Sequence, residues 1–463
     1  MVEITPSLDT HSNKPLYIQL YHFIKQEVQN GNLAQKTKLP SKRKLAKHLN
    51  LSQNTIESAY SQLVAEGYIE SIPRKGYFIC EVDQNHLDVN RNISIVNKEK
   101  TYKDRTYTFD FTNTGIEVNA FPFSVYRKIA GEVIKPENKE LLLLGHPQGE
   151  YGLREEISKY VYESRGVRCS PSQIIIGGGT PYLIKVLFQL LNGSTFAVEN
   201  PGYHRKLVLF ENSAEKVKMI PLDEGGLVVS ELKKSRANAV FVTPSHQFPC
   251  GMVMPIARRL QLLKWAEEKT DRFIIEDDYD SEFRYEGKPI PGLQGLDTSE
   301  NVIYMSTFSK ALIPSLRISY MILPTPLLTI YQNDYFFYTQ TVSRIDQEIL
   351  KHFIKERHWE KHINRMRVVY QKKRDALVAE ISRCFPETVE IIGQDAGLHI
   401  LVRPNNGMTE KELVESAAAC SIKVYPVSAY GRCDHQTVLM GFAVLSVEEI
   451  KKAVELLAEA WFK

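Results

Sequence analysis

The sequence predicts an α/β protein in two parts: a long unit built on a mainly parallel sheet covered by helices, preceded by a small basic unit of short helices and a hairpin. Three observations predict this. The chain has 463 residues, 43% apolar and 24% charged, which places it in the soluble globular range and beyond the length of one ordinary domain. After about residue 108, short β-branched or aromatic runs (IIIGG at 174, FIIEDDY at 273, VIYMS at 302) alternate with longer helical patterns such as ARRLQLLKWAEEK, as strands alternate with crossover helices. Between them, EVDQNHLDVNRNISIVNKEKTYKDRTY is polar and charged without a sustained period, as expected of a segment that cannot bury enough surface to fold. The expected division is a first unit over 1–80, a linker over 81–107 and a second unit over 108–463.

Charge locates the contact with any polyanion. Residues 1–80 hold ten Lys/Arg against six Asp/Glu, a difference of +4, more than the +3 of the whole chain. Nucleic-acid binding is therefore expected to be local to the first unit. The six cysteines (Cys80, Cys169, Cys250, Cys384, Cys420, Cys433) form neither CxxC pairs nor a Cys/His ligand spacing, so no metal site and no disulfide framework are expected. No apolar run approaches the ~20 residues that cross a bilayer, and MVEITPSLDTHSNKPLY has no apolar stretch after a basic start. A cytoplasmic protein with reduced thiols, and no membrane partner, is expected.

In the first unit, Leu16, Leu20, Phe23, Ile24 and Val28 recur at helical spacing and Gly31 closes that helix. Pro40 and Ser41 suit the start of a second helix, KRKLAKHL. A third starts from Ser52 with Ile56, Ala59, Tyr60, Leu63 and Val64 as its apolar face. Two short helices joined by a tight turn make a helix-turn-helix. After Gly67, YIESIPRKGYFIC reads as two short strands around a basic tip of Arg74, Lys75 and Gly76. Lys36, Lys38, Lys42, Arg43, Lys44 and Lys47 follow one another with no acid among them, a patch suited to phosphates. Ser52, Gln53, Asn54 and Thr55 are short or polar side chains that can enter a major groove beside it. The plain alternative is a solvated lysine face on a unit that mediates protein contacts.

PLYIQLY, KLPSKRKLAKHL, LSQNTIESAYSQLVAEGYIE and the GYF of the hairpin resemble the winged helix-turn-helix of GntR-type bacterial regulators over about seventy residues. The resemblance implies contacts with double-stranded DNA at Arg43, Ser52, Asn54, Thr55 and the wing, Arg74 and Lys75 included. Gln53 stands where such proteins often carry Arg, which removes a charge and a bidentate fork and predicts a different preferred operator.

In the second unit, MSTFSKALIPSLRISY follows an apolar strand and sets Thr307, Ser309, Lys310 and Arg317 within eleven residues. A lysine just past a strand end can form a Schiff base with an aldehyde if its pKa is lowered, and hydroxyls with an arginine suit a phosphate dianion. EDDYD follows the strand FII, so Asp277 and Tyr279 are expected at a strand's carboxyl end, where open α/β sheets place ligands. A carboxylate there can keep a pyridinium nitrogen protonated, and a phenol can bond the ring's 3-oxygen. IIIGGGTPYLIKVLFQLL reads as strand, glycine turn and helix, so the amides of Gly178, Gly179 and Thr180 can meet a phosphate. ENPGYHR supplies Tyr203 as an aromatic to stack on the ring, with Arg205 close behind, and in TPSHQFPCG Gln247 can face the 3-oxygen side. Singly, each piece also reads as an ordinary loop or turn; together they occur in one chain direction, each beside a strand.

In that order the segments resemble fold type I aminotransferases, pyridoxal 5′-phosphate (PLP) enzymes, over some 350 residues. LGHPQGEYGLREEI looks like their substrate-domain segment, AGLHI like the start of a smaller C-terminal α+β domain and VLMGFA like its late strand. A GntR-like reader joined to such a domain is the layout of the MocR/GabR family of bacterial transcription regulators. The resemblance implies Lys310 as the Schiff-base lysine, Asp277 at the pyridinium, Tyr279 at the 3-oxygen, Tyr203 stacked on the ring, and Thr307 with Arg317 on the phosphate. It also implies a head-to-tail homodimer. Three departures stand out: Pro181 replaces a frequent Gln, Cys250 replaces the Thr of a PTG, and VLMGFA contains no arginine for a substrate carboxylate. Arg205 and Arg432 are the candidates for that effector contact.

The expected function is a ligand-gated regulator. PLP forms an aldimine at Lys310; an amine effector (an amino acid, a GABA-like ω-amino acid, or PLP itself) shifts the dimer between two arrangements, and two readers straddle spaced half-sites of an operator. The alternatives are an active aminotransferase tethered by its first unit and a DNA binder with a defunct PLP site.

Overall fold

The computed structural model describes residues 4–10, 12–81, 106–203, 216–285, 287, 290–336, 339–432 and 434–462. The chain divides into two compact units, Met1–Asp104 and Arg105–Lys463. Most of the segment read as a linker lies outside the described residues.

The first unit is built of α1 (Leu16–Gln29), α2 (Lys42–Leu49), α3 (Gln53–Ala65), β1 (Ile69–Ile72) and β2 (Gly76–Ile79). Ser41 caps α2 by accepting from the Lys44 amide, and Ser52 caps α3 by accepting from the Thr55 amide, so both helices begin where a short hydroxyl satisfies an orphan N–H. Asn50, in the left-handed conformation, ends α2 and turns the chain into α3. Leu20, Ile24, Leu45, Ile56, Tyr60 and Leu63 close a small core. Val64, expected on the apolar face of the third helix, is 38% exposed; one residue past Leu63 it is turned about 100° off the inward line. β1 and β2 pair antiparallel around Pro73–Lys75.

The second unit centres on an eight-stranded sheet. Its strands are β4 (Ile174–Gly177), β5 (Thr195–Asn200), β6 (Lys216–Asp223), β7 (Gly226–Leu227), β8 (Ala239–Val242), β9 (Phe273–Asp278), β10 (Val302–Thr307) and β11 (Ser319–Ile322). They lie in the order β4-β11-β10-β9-β8-β5-β6-β7. β11 is antiparallel to both neighbours and β10, β9, β8, β5 and β6 are mutually parallel. The carboxyl ends of β4, β5, β8, β9 and β10 therefore share one edge. The central strands are buried along their length, as a sheet covered on both faces requires.

A second sheet, antiparallel, orders β12 (Glu390–Ile392), β13 (His399–Arg403), β16 (Val438–Gly441) and β15 (Tyr425–Pro426), with helices Glu410–Ala419 and Val447–Phe462 beside it. This is the smaller α+β part. The long helix His358–Cys384 packs on Val447–Phe462. β3 (Phe109–Asp110) pairs in parallel with β14 (Ile422–Lys423), so the start of the second unit is stitched to its smaller part. Among the described residues, no helix is long and apolar enough to cross a membrane.

Candidate functional site

A cavity of about 200 Å³ opens at the shared edge of the large sheet, and Lys310, Asp277, Tyr279, Tyr203, Thr180, Thr307, Ser309 and Arg317 all line it. The register explains the convergence. Thr307 of β10 faces Ser319 of β11, and Ser319 faces Gly177 of β4, so the three strand ends lie in one row.

Lys310 follows β10, and its Nζ donates to the backbone carbonyl of Asn113 at 2.6 Å. Nζ also lies 5.7 Å from the centre of the Tyr279 ring. Burial lowers the pKa of this amine, with Asp280 and Asp277 opposing the shift. A lysine so placed has a larger neutral, nucleophilic fraction than one in water.

The end of the cavity by β4 and β11 is cationic. Arg317, itself in the left-handed region at φ 53°, lays its guanidinium over Gly179. A Cβ at Gly179 would collide with that guanidinium, and its φ of 96° independently requires glycine. Thr307 Oγ1 accepts from the Ser309 amide (3.2 Å) and from Ser319 Oγ (2.9 Å). Ser309 Oγ is buried without a hydrogen-bond partner among the described residues, a hydroxyl that calls for one. Thr180 opens the helix Thr180–Leu190 against the same space. The glycine-turn amides are placed differently from expectation. Gly178 N–H donates to Thr341 Oγ1 (2.9 Å) and Gly179 N–H to the Gly177 carbonyl (2.8 Å), so Thr180 is the member of the three that lines the cavity.

Asp277, buried, and Tyr279 also line the cavity. Burial, then Asp280 and Asp277, hold the Tyr279 phenol well above its ordinary range. Tyr203 stands edge-on to Phe248 at 5.7 Å, and burial followed by Asp277 raises its phenol too, against Arg317. Behind Tyr279, His246 Nδ1 lies 3.0 Å from the phenol oxygen and 3.0 Å from Asp280 Oδ2.

Gln247 is not on the cavity wall. Its Nε2 donates to the carbonyls of Phe248 (2.7 Å) and Pro201 (3.1 Å), and its Oε1 accepts from the Cys250 amide. It braces the loop, and Phe248 is the residue presented to the cavity. Arg432 is likewise off the lining: its side chain is exposed and its amide donates to Asn200 Oδ1. Arg205 lies outside the described residues. Asn113 and Thr114 line the cavity without any motif to announce them.

On the first unit, Arg43, Gln53, Asn54, Arg74 and Lys75 are exposed. Ser52 Oγ and Thr55 Oγ1 are bonded to each other at 2.8 Å, and Lys42 is paired with Glu57 at 2.6 Å, so part of the expected contact set already has intramolecular partners.

Comparison with known proteins divides the chain the same way. Residues 114–457 match the family "Aminotransferase class I and II", and residues 16–79 match "Bacterial regulatory proteins, gntR family". The chain is 44% identical to the HTH-type transcriptional regulator YdeL of Bacillus subtilis (strain 168), over 99% of this chain and 100% of that one. It is 29% identical to the probable rhizopine catabolism regulatory protein MocR of Rhizobium meliloti, over 98% and 95%. The crystal structure of Pyrococcus horikoshii kynurenine aminotransferase matches with a TM-score of 0.68 at 25% identity, over 77% of this chain and 91% of that one.

Proposed function

The chain belongs to the MocR/GabR family of transcriptional regulators, a gntR-family helix-turn-helix joined to a class I and II aminotransferase domain, and from that premise we propose that it reads DNA under control of an amine sensed at PLP on Lys310. The observation that carries this reading is the pairing, in one cavity, of a buried amine of lowered basicity with a cationic end that holds an unsatisfied hydroxyl.

The residues fit the group. Arg317 over Gly179, the orphan Ser309 Oγ, Thr307 and Thr180 would hold the phosphate. Asp277 would face the pyridine nitrogen, Tyr279 the 3-oxygen and Tyr203 the ring face. When bound, PLP supplies a carbonyl carbon that Lys310 and an incoming amine compete for. Lys310 Nζ, as a free amine, donates to the Asn113 carbonyl. Arg205 and Arg432 are the candidates for an effector carboxylate. The effector is an amino acid, a GABA-like ω-amino acid or PLP itself, and its differential affinity for two dimer arrangements would move the readers over spaced half-sites.

A second copy is part of this reading. Leu142, Leu143 and Leu144 are 77%, 67% and 80% exposed in one run, a patch of the kind that marks an interface; we assign it to the head-to-tail homodimer. The work place would be the cytoplasm.

The test replaces Lys310. Wild-type protein is expected to hold PLP through borohydride reduction and denaturation and to change its footprint on the DNA upstream of its own gene when amines are added. Lys310→Ala is expected to lose both. Retention of colour and response by the variant would overturn the reading, and steady formation of a new amino acid from an amine and an oxo acid would favour a working aminotransferase instead.

A further inference from the structure

His246 and Asp280 are both buried, at 2% and 1% exposure, and neither touches the cavity assigned to PLP. Asp280 lies directly after Tyr279, and His246 comes from the loop after β8. His246 Nδ1 is 3.0 and 3.1 Å from the two Asp280 oxygens and 3.0 Å from the Tyr279 phenol oxygen. The imidazole lies nearly parallel to the phenol ring, 28° between planes. Gly397, just ahead of β13, backs the pair: a Cβ there would collide with the imidazole and crowd Asp280.

One hydrogen decides what this trio does. A buried carboxylate needs donors, and His246 Nδ1 is the one hydrogen-bond partner of the Asp280 carboxylate among the described residues. His246 Nε2 is buried with no partner among the described residues; a hydrogen there would be a donor without an acceptor among them, which folded proteins avoid more strictly than an unused lone pair. Both facts put the hydrogen on Nδ1. An Nδ1 that carries a hydrogen cannot accept the phenol's. The Tyr279 oxygen therefore meets an N–H on the His246 side, and its own hydrogen must point away from it.

We propose that His246 and Asp280 are positioning residues that fix the Tyr279 phenol as a hydrogen-bond donor into the cavity, toward the oxygen substituent of the bound ring. This rests on the PLP reading of the site. The groups around the phenol are Asp277 and Asp278 on its own strand, Asp280 after it, Glu199 from β5, His246 and Lys310, with His399 of β13 next to His246 at 5.4 Å. All of the carboxylates oppose an ionised phenol, so it is the intact O–H that faces the ring.

A donor on the ring's oxygen stabilises that oxygen as an anion, so the bound chromophore gives up its proton at lower pH than it would without one. The experiment is a pH titration of the near-visible band of PLP bound to the full chain. Tyr279→Phe is expected to raise the midpoint by roughly one pH unit. His246→Leu is expected to raise it similarly and to add nothing in the Tyr279→Phe background. His246→Asn, whose amide nitrogen takes the place of Nδ1, is expected to titrate as wild type. His246→Gln, whose amide stands at the position of Nε2, is expected to shift like His246→Leu, and serves if the leucine variant does not fold. A wild-type midpoint in both His246→Leu and His246→Gln, or a shift of equal size with and without Tyr279, overturns the inference while leaving the PLP reading intact. A full chain that takes up no PLP overturns both.

Discussion

Gly179 carries two constraints at once, a positive φ and a guanidinium pressed where a side chain would be. Gly179→Ala therefore strains the backbone by about 1–3 kcal/mol and pushes Arg317 off the end proposed to hold the phosphate. PLP affinity is expected to fall at least tenfold by equilibrium dialysis, with the far-UV spectrum unchanged. His399 makes a pH prediction. Burial, then His246, hold it down to about 3, against about 6.5 in an unfolded chain. Between those values the unfolded chain binds a proton that the folded one refuses, so stability is present above pH 6.5 and declines as pH falls, by about 1.4 kcal/mol per unit. His399→Gln keeps a donor for the Pro249 carbonyl, which His399 Nε2 meets at 3.0 Å, and removes the proton uptake; its thermal midpoint is expected to fall less than wild type between pH 7 and 5. At this scale the sequence was legible where a side chain ends a strand. Asp277, Thr307 and Lys310 stand where the apolar runs FII and VIYM give way to polar residues, at the carboxyl ends of their strands. Gln247 and Phe248 sit in an irregular loop with no period to tell inward from outward, and the polar residue, the natural choice on chemistry, turned back to its own backbone. Asn113 lies 197 residues before the lysine it meets, and nothing local announces it.

At the scale of elements, capping and periodicity carried most of the reading. Ser41 and Ser52 start their helices as short hydroxyls should, and the hairpin tip falls at the basic turn. The insertion of β11 antiparallel between β4 and β10 was not legible, because a buried strand is equally apolar in either direction. The reader elements yield a prediction of their own. Arg43 is exposed on α2 while Lys42 is held by Glu57, so Arg43 is the better phosphate anchor. Arg43→Ala is expected to weaken binding to the upstream DNA about uniformly across sequences and to lower the salt slope of log Kobs by about 1, measured by fluorescence anisotropy at several salt concentrations. An unchanged slope would move the anchor elsewhere.

For the whole molecule, composition predicts a linker over 81–107, nearly all of it outside the described residues; the chain divides into Met1–Asp104 and Arg105–Lys463. The interface we propose between copies is not written in any motif; it rests on the exposed run of Leu142, Leu143 and Leu144. A charge at that patch tests it: Leu143→Asp is expected to shift sedimentation equilibrium toward the monomer by at least tenfold in Kd, while the monomer retains its fold. The stretch from Phe109 to Asn113 then acquires a meaning beyond packing. Its first residues pair with Ile422 and Lys423 in a two-stranded sheet, its Phe111 carbonyl receives the Gly441 amide, and its last carbonyl holds the lysine amine. A change at the Lys310 amine is thereby linked, through five residues, to the strand pair that joins the start of the second unit to its smaller part.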